Sequence, residues 1–169
     1  MSPEATGFFR PSGHVRLRTV DDTRAWGARL GALLQAGDLL LLTGGLGAGK
    51  TTLTQGVADG IGVRGPVTSP TYVIARVHPS ITGGPDLVHV DAYRLGGLAE
   101  LDDLDLDASL EETVTIVEWG HGLAEHLSDE YLEVTLQGHD IRTVDLVGHG
   151  ARWTDPAARA ALDDLVSLA

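Results

Sequence analysis

Apolar and polar positions alternate in two rhythms along this chain. From His14 to Val20 the run V-R-L-R-T-V has the two-residue period of a half-buried strand. Trp26, Leu30, Leu33 and Leu34 then recur at helical spacing, with Asp21 or Asp22 placed to cap that helix and Gly37 to end it. Asp38–Thr43 (DLLLLT) is a short apolar run between turn residues, which predicts a strand buried on both faces. A glycine-rich stretch follows, and then a helix over about Lys50–Asp59.

Beyond a loop-rich stretch from Gly60 to Pro70, TYVIARVH (Thr71–His78) and DLVHVD (Asp86–Asp91) predict two strands joined by the long turn PSITGGP. Leu98–Leu110 is acidic and leucine-rich, which suggests short helical pieces. VTIVE (Val114–Glu118) predicts another buried strand. Tyr131–Gln137 and Ile141–Val147 alternate around Gly138-His139-Asp140, a hairpin signal. Asp155 and Pro156 open a final helix that runs to Leu168. There is no internal repeat. A strand, a glycine-rich loop and a helix imply α/β, and the hairpins make the sheet mixed.

The chain has 169 residues, the size of one domain. Residues 1–12 hold Pro3, Gly7 and Pro11 without periodicity and read as a flexible N-terminal arm, leaving 13–169 as the domain. Without cysteine there is no disulfide and no thiolate metal or redox site. The longest apolar run, Leu39–Leu42, is too short to span a bilayer, and the first residues lack a secretory pattern, so a cytoplasmic protein is expected. The net charge is −12, too acidic for strong nucleic-acid binding by the chain alone. Of the 12 basic residues, Lys50 is the only lysine.

Lys50 sits in the most informative string. Gly44-Gly45-Leu46-Gly47-Ala48-Gly49-Lys50-Thr51 matches G-x-x-x-x-G-K-[ST] at every fixed position. Glycines let backbone N–H groups curl around phosphates, and the helix N-terminus adds partial positive charge. Lys50 would reach the β/γ phosphates and Thr51 would place its hydroxyl on Mg²⁺. The competing account is a flexible turn with a chance lysine; the buried strand before the loop and the helix after it argue against that.

A nucleotide site also needs an acid near Mg²⁺ and a group that orients water. Asp91 and Glu118 each end an apolar run, where the strands of an α/β sheet meet the ligand crevice. Spacing does not say which of them faces the metal, and either could instead be a strand-end acid in a structural ion pair. Thr68-Ser69-Pro70-Thr71-Tyr72 suits a nucleotide-sensing loop or an ordinary Ser-Pro turn; Arg94 suits phosphate charge less well than a salt bridge. The seven histidines show no metal-ligand spacing, and no G-x-S-x-G elbow is present. With one lysine, an Asn/Thr-Lys-x-Asp guanine element cannot exist, so elimination favours ATP. Between Arg94 and Arg142 there are thirteen acids and no Lys or Arg, seven of the acids in Glu100–Glu112. A solvated face accounts for that stretch; a docking surface for a basic partner is the sharper account.

In order, GGLGAGKTTLTQG, SPTY at Ser69–Tyr72, D-x-Y-R-L at Asp91–Leu95 and VEW at Val117–Trp119 make the chain resemble the TsaE (YjeE) family, from about His14 to Val147. These are small bacterial ATPases of tRNA threonylcarbamoyladenosine biosynthesis. The resemblance implies a minimal P-loop NTPase fold, a mixed sheet flanked by helices. It implies Mg²⁺-dependent ATP hydrolysis that supports N6-threonylcarbamoylation of adenosine 37, through binding to the TsaD–TsaB complex, which the ATPase cycle resets. By this resemblance Gly45, Leu46, Gly47, Ala48, Gly49, Lys50 and Thr51 hold the phosphates, with Thr52 beside them, and Thr51 and Glu118 bind Mg²⁺. Asp91 would serve hydrolysis by orienting water, Thr71 and Tyr72 would belong to a switch-like loop, and Trp119 would line the nucleotide. The chain departs from the family after Gln137. Members often carry Gly-Arg there, whereas here Gly138 is followed by His139 and Asp140, and the next arginine is Arg142. A small-molecule kinase on the same fold is the runner-up, although the Arg-free stretch 95–141 supplies no lid arginines. A nucleotide-dependent binding switch with little turnover is the third reading.

Overall fold

The computed structural model describes residues 7–45, 47–65, 67, 75–92, 109–119 and 124–167. In chain order the strands are β1 (Phe8–Phe9), β2 (Val15–Leu17), β3 (Leu39–Gly44), β4 (Ala75–His78), β5 (Asp86–Asp91), β6 (Thr113–Glu118), β7 (Tyr131–Gln137) and β8 (Arg142–His149). The helices described are α1 (Val20–Leu33), α2 (Lys50–Ile61), α3 (Ala151–Thr154) and α4 (Pro156–Ser167), with a 3-10 turn at Ala124–His126.

The expected mixed α/β sheet is present, in the order β1-β8-β7-β3-β6-β5-β4, with β2 also pairing β8. The apolar strand β3 lies in the middle, parallel to both β6 and β7. Parallel strand β5 continues the sheet beyond β6, and antiparallel strands finish both sides. Burial on both faces explains the unbroken LLLL of β3. Leu40 and Leu42 pack into the larger core with Trp26, Leu53 and Val57 of the helices, while Leu39 and Leu41 join Val88, Val90 and Val117 on the opposite face. Each fully buried leucine contributes roughly 1.5–3 kcal/mol.

Helices α1 and α2 cross through glycines. Added Cβ atoms on Gly27 and Gly31 of α1 would strike the carbonyl oxygens of Leu53 and Val57. On Gly56 and Gly60 of α2 they would strike those of Arg24 and Ala28. Each pair is spaced i, i+4, so both helices present a smooth ridge to the other. That contact lets the backbone of α2 approach α1, and it fixes where the N-terminus of α2 meets the end of β3.

Several local expectations shift. The cap of α1 is Thr19, whose hydroxyl accepts from the Asp22 N–H, and Asp21 and Asp22 occupy the first turn, where acids complement the helix dipole. Within the arm expected over residues 1–12, the described part includes a strand. Phe8 and Phe9 pair with His149 and Gly148 of β8, and the Arg159 guanidinium lies 5.2 Å from the Phe9 ring centre. A sheet edge with free N–H and C=O groups gives even a two-residue segment something to pair with. Asp155 does cap α4, accepting from the Ala157 N–H at 3.0 Å. The unforeseen helix α3 carries Arg152, which binds the nearly buried Asp38 through Nε–Oδ1 at 2.8 Å and Nη2–Oδ2 at 3.0 Å. This two-pronged ion pair joins the C-terminal helices to the start of β3.

Candidate functional site

The glycine-rich string forms the turn from β3 into α2. Gly47 and Gly49 have φ of +78° and +102°, values that glycine adopts without strain, and Gly49 is the N-cap of α2 with no side-chain cap. The first-turn N–H groups of α2 are therefore not covered by a capping side chain. A Cβ placed on Gly45 or Gly47 would meet nothing within 4 Å, so the loop faces open space on that side. Gly44 differs: a Cβ there would lie 2.8 Å from the Leu136 carbonyl oxygen of β7. Leu46 lies outside the described residues.

Lys50, the first residue of α2, turns its ammonium back under the loop. Its Nζ donates to the carbonyl oxygens of Gly44 at 2.8 Å and Gly45 at 2.9 Å, and lies 4.2 Å from the centre of the Trp119 ring. Burial lowers its pKa, and the charges of Glu118 and Asp91 act to raise it. The sole lysine and both strand-end acids thus share one electrostatic environment. Thr51 and Thr52 follow in the first turn of α2, both half-buried.

The two acids are direct neighbours. Strands β5 and β6 run parallel with Asp91 opposite Glu118, each the last residue of its strand. Alternation along β5 puts His89 on the same face as Asp91. His89 is fully buried, and its Nε2 lies 2.5 Å from Glu118 Oε2. Its Nδ1 finds no hydrogen-bond partner among the described residues. Among the described residues that carboxylate is the ring's one hydrogen-bond partner, and the contact orients Glu118. Immediately after Glu118, Trp119 takes φ of +61°, the only positive value for a non-glycine among the described residues. Its N–H donates to the Leu42 carbonyl, which ties the turn to the end of β3.

Lys50, Thr51, Asp91, Glu118 and Trp119 are brought to one end of the sheet, where β3, β5 and β6 finish. The sequence reading assigned no role to two further residues. His89 sits inside DLVHVD, where an apolar strand hides its role; the signal was a histidine two residues before the strand-end acid. Arg142 comes from the far side of the sheet, donating from Nε to the Ala48 carbonyl at 2.7 Å and from Nη2 to the Gly47 carbonyl at 3.2 Å. No spacing rule links residues 94 positions apart. The segment Thr68–Tyr72, Arg94 and most of the acidic stretch Glu100–Glu112 lie outside the described residues. No described helix is long and apolar enough to cross a membrane.

The residues fit a nucleotide polyphosphate and Mg²⁺ on geometry alone. The loop is a glycine turn open on one side, with the Lys50 ammonium beneath it, Thr51 in the first turn of α2, and Asp91 and Glu118 near enough to act on the Lys50 charge. Mg²⁺ keeps several waters and takes few protein ligands, so a hydroxyl and a carboxylate beside phosphate oxygens suffice.

Residues 17–144 match the family model described as threonylcarbamoyl adenosine biosynthesis protein TsaE. A Streptomyces coelicolor protein named tRNA threonylcarbamoyladenosine biosynthesis protein TsaE is 56% identical over 77% of this chain and 93% of its own length. A Bacillus subtilis protein of the same name is 37% identical over 82% and 89%. The crystal structure of YdiB from Bacillus subtilis superposes with a TM-score of 0.70 at 28% identity, covering 96% of this chain and 97% of that one. The chain belongs to the TsaE family.

Proposed function

We propose that this protein binds and hydrolyses ATP with Mg²⁺, and that the cycle supports N6-threonylcarbamoylation of adenosine 37 in tRNA through the TsaD–TsaB complex in the cytoplasm. Membership of the TsaE family supports the role in tRNA threonylcarbamoyladenosine biosynthesis. One observation carries the chemical part: Lys50, Asp91 and Glu118 converge in front of a glycine loop at the N-terminus of α2.

Hydrolysis forms a bond from a water oxygen to the γ-phosphorus and breaks the bond from that phosphorus to the bridging oxygen. Mg²⁺, which Thr51 and Glu118 would hold, would supply neutralisation of phosphate charge. The loop N–H groups and the N-terminus of α2 hold the phosphates in place. Lys50 exchanges its two carbonyl acceptors for phosphate oxygens and draws off the charge that develops on the leaving group. Thr51 supplies a hydroxyl ligand and Glu118 a carboxylate held by His89. Asp91, one strand over, accepts a hydrogen bond from the attacking water and so orients it.

With a net charge of −12, the chain is poorly suited to grip tRNA by itself, so its effect on tRNA passes through a protein partner. The test is phosphate release from Mg·ATP, alone and with TsaD–TsaB, alongside threonylcarbamoylation of tRNA in the reconstituted mixture. Turnover that Lys50→Ala abolishes, together with tRNA modification that needs the intact protein, is the expected result. Full modification with the Lys50→Ala protein overturns the reading.

A further inference from the structure

Arg142 opens β8, and its backbone is fixed by pairing with Leu17 of β2. From there its guanidinium reaches two successive carbonyls of the glycine loop, Gly47 and Ala48. It also packs under Gly49, where a Cβ would come within 2.9 Å of Nε and 3.1 Å of Cδ.

The consequence follows from peptide geometry. In a trans peptide the C=O and the following N–H point in opposite directions. Holding the Gly47 and Ala48 carbonyls toward Arg142 therefore turns the N–H groups of Ala48 and Gly49 to the other side. The Ala48 N–H closes the loop's own turn on the Gly45 carbonyl at 3.2 Å. The Gly49 N–H is directed away from Arg142. Glycines at 45, 47 and 49 make this loop permissive, and permissive backbone is costly to order. An outside clamp lowers that cost before the ligand arrives.

We propose that Arg142 is a positioning residue for the phosphate loop. It grips two carbonyls from outside, and so sets the Ala48 N–H to close the turn on Gly45 and presents the Gly49 N–H on the opposite side as a preformed anion donor. This inference rests on the phosphate-loop reading above. Arginine suits the task because its planar fork offers donors in two fixed directions, which a single ammonium does not.

The experiment compares Arg142→Ala, Arg142→Lys and Lys50→Ala with the parent in the full chain, using ADP binding by calorimetry, Mg·ATP turnover, and circular dichroism for folding. Loss of charge-assisted contacts should weaken ADP binding by Arg142→Ala about tenfold or more, with only partial recovery in Arg142→Lys. Millimolar methylguanidinium should restore part of the Arg142→Ala affinity and leave Lys50→Ala unchanged, a rescue that a merely structural residue does not give. Folded Arg142→Ala with parental affinity overturns the inference. If Arg142→Ala does not fold, Arg142→Lys decides: parental affinity and turnover in that variant overturn it as well. Lys50→Ala separates the two ideas, because parental behaviour there sinks the phosphate-loop reading itself, whereas loss there with parental Arg142 variants sinks this inference alone.

Discussion

The ammonium of Lys50 lies 4.2 Å from the centre of the Trp119 ring, and Trp119 reaches that place through a backbone φ of +61°. A bulky residue in the left-handed region costs on the order of 1–3 kcal/mol. A cation over an indole face returns about 0.5–2 kcal/mol. The strain lies directly after Glu118, where the chain leaves β6 for the site.

That contact makes Trp119 a reporter. Trp26 and Trp153 are 2% and 1% exposed, far inside the core, whereas Trp119 faces the Lys50 ammonium, the group proposed to bind phosphate. Adding ADP or ATP should change the tryptophan emission of the parent. Trp119→Phe should remove the change while nucleotide binding, followed by calorimetry, persists. An equal change in Trp119→Phe would place the nucleotide elsewhere.

The two acids should separate by kinetics. Glu118→Gln is expected to raise the Mg²⁺ concentration needed for nucleotide binding. Asp91→Asn should bind Mg·ATP nearly as the parent does and lose about 100-fold or more in turnover, the pattern of an interaction made only in the transition state. Binding titrations and phosphate-release rates on both variants check this, and the opposite pattern exchanges their roles.

Crossing glycines predict a stability result that helix propensity alone gets wrong. On propensity, Gly→Ala inside a helix gains about 1 kcal/mol. At Gly31 or Gly56 the new methyl would run into the partner helix backbone, at Val57 O and Arg24 O. Overpacking of that kind costs roughly 1–3 kcal/mol or more. Urea unfolding of Gly31→Ala and Gly56→Ala should show net destabilisation; neutral or raised stability would mean that the helices separate easily.

His78 should give the fold an acid-sensitive element. It is buried at the end of β4, and burial first, then the neighbouring His89, push its pKa below 6.5. The unfolded chain binds the proton more readily than the native one, so stability is fully present above pH 6.5 and falls as the pH drops through the lowered native value. Replacing His78 with Leu should flatten that part of the stability–pH curve. Unfolding midpoints measured from pH 8 down to 5 test this, and parallel curves for the two proteins count against it.

Much of this protein is written locally. The run DLLLLT, the glycine string and Lys50-Thr51 specify a buried strand, a glycine turn and a helix within a dozen residues, because each signal acts between near neighbours. Asp91 and Glu118 were legible as strand-end acids for the same reason. Their pairing was not: that Asp91 stands opposite Glu118 depends on β5 and β6 lying side by side, which no spacing between them encodes. His89 looked like one more residue of an apolar strand until β6 brought Glu118 to its Nε2. Phe8 and Phe9 carry too short a pattern to predict a strand, and it is the waiting edge of β8 that orders them. Arg142 is the clearest case. Its fork closes on Ala48 across 94 residues, and only the order of strands in the sheet sets the direction from which it arrives. Sequence determined the chemistry that the loop offers; the tertiary structure decided which distant side chains hold that chemistry in place, because hydrogen bonds act over about 3 Å of space and not over chain distance.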